Sequence, residues 1–136
     1  MQPPVRVNDD RTLEGRRLLV VEDDAVLSMD LEQILRSAGA ETVLLCRNVA
    51  EALTALANNC ISAAVLDFRI GHETTISVAQ QLSQRGTPFI FYTGQLAGDP
   101  GLTEWPSCKV VLKPAPARRV ISAITEVLSS KSAAAG

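Results

Sequence analysis

Several residues that can do chemistry stand directly after short apolar runs. Leu18-Leu19-Val20-Val21 leads into Glu22, Asp23 and Asp24, and the run from Ile61 to Leu66 leads into Asp67. Pro88 to Tyr92 leads into Thr93-Gly94, and Val110-Val111-Leu112 leads into Lys113-Pro114. If the fold gathers Glu22, Asp23 and Asp67, their like charges repel and at least one carboxyl pKa should rise. A cation removes that conflict. An all-oxygen set suits Mg²⁺, which keeps several waters and takes one or two carboxylates plus phosphate oxygens. Beside such an ion a carboxylate oxygen of Asp67 can act as a nucleophile toward phosphorus. Lys113 would neutralise charge on the transferred group as a compact point charge, and Thr93 would donate a hydrogen bond to a phosphoryl oxygen. Phosphoryl transfer asks mainly for this positioning and charge neutralisation.

Each residue also has an ordinary explanation. A lone aspartate after a strand is usually a turn former or a helix N-cap. Glu22-Asp23-Asp24 fits an acidic first turn that complements the helix dipole, with Asp24 as the cap. Lys113-Pro114 fits a solvated loop, and Thr93-Gly94 an ordinary turn. Only the joint placement is hard to reach by chance. His72, the sole histidine, follows Asp67 at a short distance. Nothing pairs it with a second catalytic group, so it reads as a solvated loop residue.

Elements that would position these groups alternate along the chain. After the first apolar run, Leu27, Leu31, Ile34, Leu35 and Ala38 recur by threes and fours, and Gly39 stands where a helix C′ glycine belongs. Thr42–Cys46 is a second strand. Asn48 and Glu51 fit a variant of the capping box ahead of Val49, Leu53 and Leu56. Ile76, Ala79 and Leu82 predict a third helix ending before Gly86. Val120, Ile121, Ile124, Val127 and Leu128 form the clearest stripe, with Pro116 suited to its first turn. Residues 94–107 carry glycines and prolines and predict only a short or irregular fourth helix. Continuous apolar strands alternating with helices argue an α/β fold with a buried, doubly wound, five-stranded parallel sheet. Ligands of such folds sit beyond the carboxyl ends of the strands, where the polar residues named above fall.

The 136 residues amount to one domain. Residues 1–15 read as a loose polar tail, 16–129 as the folded domain and 130–136 as a frayed C-terminal tail. A net charge of −2 offers no electrostatic footprint for nucleic acid or an anionic membrane. Cys46, Cys60 and Cys108 are odd in number and lack CxxC spacing, which excludes a disulfide framework or zinc site as the organising feature. No apolar run approaches membrane-spanning length, and the N-terminus lacks the apolar region of a signal peptide. A cytoplasmic protein is expected. Neither GxGxxG nor GxxxxGK[ST] occurs, which argues against nucleotide binding.

LLVVEDD (18–24), AAVLDFRIG (63–71), FIFYTG (89–94) and VVLKP (110–114) together resemble the receiver domains of two-component response regulators. The resemblance spans roughly residues 16–129. It implies a flavodoxin-like sheet of order 2-1-3-4-5. It further implies Asp67 as phosphoacceptor, Thr93 and Lys113 on the phosphoryl oxygens, and Mg²⁺ held by Glu22, Asp23, Asp67 and the main-chain carbonyl of Arg69. Arg69 and Gln95, two residues after Asp67 and Thr93, would tune phosphoryl hydrolysis. The donor would be a sensor histidine kinase or a histidine phosphotransfer protein, and the output an unidentified downstream protein. The domain itself would be a monomer or weak homodimer that catalyses only its own phosphoryl transfer and dephosphorylation. This sequence departs from the pattern where a proline usually follows the acceptor (here Arg69-Ile70-Gly71-His72-Glu73) and at Val110, where the family often has an aromatic switch residue.

The leading expectation is therefore a stand-alone receiver that signals through partner binding or serves as a phosphate shuttle or sink. A pseudo-receiver that docks without being phosphorylated is the alternative, kept open by Val110. A small enzyme acting on a phosphorylated metabolite is less favoured, because so short a chain leaves little room for a substrate lid.

Overall fold

A computed structural model describes residues 12–94 and 109–135, with side chains as far as residue 130. The expected fourth helix, together with Gln95 and Cys108, lies outside these residues.

The first apolar run forms β1 (Arg17–Val21) and leads through Asp24 into α1 (Ala25–Ser37). Asp24 is the N-cap: its Oδ1 accepts from the amides of Val26 at 2.9 Å and Leu27 at 3.1 Å. Gly39 takes φ +105° just past the helix end, a conformation that favours glycine. Then come β2 (Thr42–Cys46) and α2 (Val49–Asn58). Asn48 caps α2 by accepting from the Glu51 amide at 2.8 Å, and the Glu51 carboxylate reaches back to the Arg47 amide, also at 2.8 Å. The reciprocal box thus closes one residue earlier than the expected pairing.

β3 (Ala63–Leu66) is followed by a small hairpin of β4 (Arg69–Ile70) and β5 (Glu73–Thr74), then by α3 (Ile76–Gln84). β6 (Phe89–Thr93), β7 (Lys109–Leu112) and α4 (Ala117–Ala135) complete the described chain. The sheet order is β2-β1-β3-β6-β7, and every pair in it is parallel. In order of the sheet's own strands this is the expected 2-1-3-4-5.

Alternation along the strands divides the core in two. On one face Leu18, Val20, Val65, Ile90 and Val111 pack with Leu31 and Leu35 of α1 and Val120 and Ile124 of α4. On the other, Leu19, Val21, Leu66 and Phe91 pack with Ala52 and Leu56 of α2 and Val78 and Leu82 of α3.

Both expected tails are corrected where they can be seen. Leu13, placed in the loose N-terminal segment, is 0% exposed and belongs to the α1–α4 core. Its amide donates to the Ala38 carbonyl at 2.9 Å, tying the segment to the end of α1. At the other end α4 continues to Ala135, past the expected boundary at 129. Ser-Lys-Ser-Ala-Ala-Ala contains good helix formers and no breaker, so nothing local stops the helix.

Candidate functional site

The carboxyl ends of β1, β3, β6 and β7 meet at one edge of the sheet. The parallel ladder runs one residue beyond the strands there. The Glu22 amide donates to the Cys46 carbonyl and that of Asp67 to the Val21 carbonyl, each at 3.0 Å. The Lys113 amide donates to the Thr93 carbonyl, also at 3.0 Å. Main-chain bonds thus fix Glu22, Asp67 and Lys113 before any side-chain interaction is counted.

Their side chains converge. Lys113 Nζ lies 2.7 Å from Glu22 Oε1 and 2.9 Å from Asp67 Oδ2, bridging the two carboxylates. Carboxylate oxygens of Glu22, Asp23 and Asp67 lie within 4.8 Å of one another. Glu22 is only 2% exposed and Asp67 9%, whereas Asp23 faces solvent. The cluster is therefore a shallow acidic well, with two carboxylates in its floor and one at its rim. Thr93, the last residue of β6, is buried beside the strand that carries Lys113.

The electrostatics follow from burial. Desolvation pushes the Glu22 carboxyl above the ordinary glutamate range, the Lys113 hydrogen bond pulls against it, and the Asp67 charge adds to the rise. Burial works against the Lys113 ammonium, but the hydrogen bonds to Glu22 and Asp67 outweigh it and raise its pKa. One ammonium thus serves two carboxylates, with a third carboxylate beside them. That surplus of negative charge, and the all-oxygen donor set, fit a small hard divalent cation.

Arg69 stands two residues beyond Asp67 in β4, and its guanidinium lies over the Phe68 ring at 5.6 Å from the centroid. His72 is exposed in the turn of the β4–β5 hairpin, beside Gly71 at φ +62°. The structure does not bring it into the cluster. Val110 is partly buried against the α2–α3 side of the core.

Three residues that sequence reasoning missed support the site. Ser28 Oγ donates to the Glu22 carbonyl at 3.2 Å. Tyr92 lies beneath Lys113, whose Nζ is 5.8 Å from the ring centroid, and the Tyr92 hydroxyl accepts from the Ala115 amide at 3.2 Å. Thr75 is 0% exposed, and its hydroxyl donates to the Asp67 carbonyl at 2.9 Å. None carries a spacing signal, since each acts through a contact the fold creates.

A sequence profile described as the response regulator receiver domain matches residues 18–125. The chain belongs to the response regulator receiver family. Among solved structures, this receiver is similar to SdrG from Sphingomonas melonis Fr1, with 31% identity and a TM-score of 0.72. That match covers 84% of this chain and 97% of the other. It shares its fold with a response regulator receiver protein from Sinorhizobium medicae WSM419, at 24% identity and TM-score 0.77, covering 88% and 98% of the two chains. A curated relative is the sensor protein TorS of Escherichia coli (strain K12), 35% identical over 83 residues. The matched stretch is 60% of this chain and only 9% of TorS. The receiver likewise spans about half (53%) of the response regulator PhyR from Brucella abortus, at 23% identity, TM-score 0.74 and 91% coverage of this chain.

Receiver domains are signalling modules, not metabolic enzymes. They generally bind Mg²⁺ in an acidic pocket, and this receiver has such a cluster in Glu22, Asp23 and Asp67. Among the described residues no helix is long and apolar enough to cross a membrane.

Proposed function

We propose that this receiver takes a phosphoryl group onto Asp67 from a phosphohistidine on a sensor histidine kinase or histidine phosphotransfer protein. The observation that carries the reading is the Lys113 ammonium bridging Glu22 and Asp67, with Asp23 completing the carboxylate cluster. Glu22, Asp23, Asp67 and the Arg69 main-chain carbonyl would hold Mg²⁺, which neutralises phosphoryl oxygens when bound. A carboxylate oxygen of Asp67 attacks phosphorus. The phosphorus–nitrogen bond of the donor breaks, and its electron pair returns to the imidazole. Lys113 moves its ammonium from the carboxylates to the new phosphoryl oxygens, and Thr93 donates a hydrogen bond to one of them. Arg69 and Gln95, two residues after Asp67 and Thr93 in the sequence, would tune how fast the acyl phosphate is later hydrolysed.

The phosphorylated receiver then signals through an altered surface to a downstream protein, or passes the phosphate on as a shuttle or sink. This role belongs in the cytoplasm and needs no more than a monomer or weak homodimer. One observation favours a second reading, a pseudo-receiver that docks without phosphorylation. Val110, partly buried and aliphatic, stands where an aromatic switch would turn.

Intact-protein mass after incubation with acetyl phosphate separates the two. The expected outcome is a gain of one phosphoryl group in the wild type, only with Mg²⁺, and none in Asp67→Asn. An equal gain in Asp67→Asn would overturn the acceptor assignment. No gain in any sample, even with a histidine-phosphorylated donor protein, would favour the pseudo-receiver.

A further inference from the structure

We infer that Thr75 is a positioning residue for the phosphoacceptor loop, and that its hydroxyl sets the Mg²⁺ affinity of the acidic cluster. The inference rests on the proposed Mg²⁺-dependent role of Asp67.

Thr75 occupies the N-cap position of α3, where a threonine side chain ordinarily accepts a hydrogen bond from an amide of the first turn. Here it makes no such bond. Its hydroxyl turns the other way and donates to the Asp67 carbonyl at 2.9 Å, with the Phe68 carbonyl at 3.4 Å. Its amide donates to the Phe68 carbonyl at 2.9 Å. A side-chain cap at this position ordinarily stabilises a helix. A fully buried hydroxyl that forgoes capping is therefore committed to something else, and its partners are the main-chain oxygens of the acceptor and the next residue.

The consequence lies in the hairpin those oxygens enclose. β4 and β5 have two residues each, paired Arg69 with Thr74 and Ile70 with Glu73. Such a short ladder holds its own geometry weakly. Thr75 closes its base, so the peptide units from Asp67 to Arg69 are pinned between the Val21 bond at one end and Thr75 at the other. Those units carry both the Asp67 side chain and the Arg69 carbonyl. Groups that orient metal ligands from behind are commonly worth tenfold or more in affinity.

The test is a Mg²⁺ titration of the unphosphorylated protein, followed by amide chemical shifts, for wild type, Thr75→Val, Thr75→Ser and Asp67→Asn. Melting temperatures are measured alongside. Thr75→Val keeps the shape and loses the hydroxyl; Thr75→Ser keeps the hydroxyl. The expected result is Mg²⁺ affinity about tenfold weaker in Thr75→Val and close to wild type in Thr75→Ser. Wild-type affinity in Thr75→Val, whatever its melting temperature, would overturn the inference and leave the function reading standing. Equal loss in both Thr75 variants would also overturn it, because the hydroxyl would then not be responsible. No Mg²⁺ response in the wild type, or the same response in Asp67→Asn, would overturn the function reading and the inference together.

Discussion

Lys113 concentrates the energetics of the site in one side chain. Its side chain is 17% exposed and its two partners are more buried still. Removing one member of a buried ion pair leaves an uncompensated charge and costs about 3 kcal/mol or more. Lys113→Met is therefore expected to lower stability by about 3 kcal/mol in urea unfolding at neutral pH without Mg²⁺. Adding Glu22→Gln should return part of that loss, since the more buried of the two carboxylates is then gone and only Asp67 is left without its partner. A double variant no more stable than the single one would show that the loss comes from packing of the lysine stem. The cysteines give a pH-dependent counterpart. Burial, then the Glu51 charge, pushes the Cys46 thiol up to about 11. A raised pKa means that the fold favours the neutral thiol. Its contribution to stability is whole below the ordinary value of 9.0 and is lost as pH rises through about 11. Near pH 8 only about one Cys46 in a thousand would be thiolate. Brief alkylation with peptide mapping is expected to mark exposed Cys60 and leave Cys46 unmodified until the pH approaches 11. Prompt modification of Cys46 at pH 8 would contradict its burial.

At the scale of elements, legibility tracked the length of the periodic signal. Asp24, Asn48 and Gly39 were readable because a cap acts within three or four residues of itself. The strands were readable because apolar runs between helical stripes have few other uses in a chain of this size. The β4–β5 hairpin was not, for a two-residue strand has no period to detect. Leu13 sits in a polar stretch, and its place in the core depends on the turn that brings it to Ala38. The extension of α4 was readable in principle, but small and serine-rich sequence near a terminus resembles a tail. Within the site, Glu22, Asp23, Asp67 and Lys113 announced themselves by type and by position after the strands, and the structure brings them together. The groups behind them did not. Thr75 resembles an ordinary helix cap, and only its hydrogen bonds show that it faces the Asp67 carbonyl. Tyr92 resembles one more apolar strand residue until its hydroxyl is found on Ala115.

At the scale of the molecule, the position of the site follows from the strand order. β1 and β3 are neighbours, which brings Glu22 and Asp67 side by side, and β7 returns Lys113 from the far edge across them. The same sheet keeps the two halves of the core apart, and that separation bears on how damage accumulates. Ile124 and Leu35 share one half, whereas Leu82 belongs to the other. Ile124→Val is expected to cost about 1 kcal/mol and Leu82→Ala about 3 kcal/mol. With no shared partners their losses should sum to within about 0.5 kcal/mol in a double-mutant cycle. Ile124→Val combined with Leu35→Ala should depart from that sum, because both reshape one cavity. The backbone ladder would then act as an energetic insulator: a sequence drifting on the α2–α3 face draws on the same total stability as one drifting on the α1–α4 face, without changing which substitutions the latter can accept.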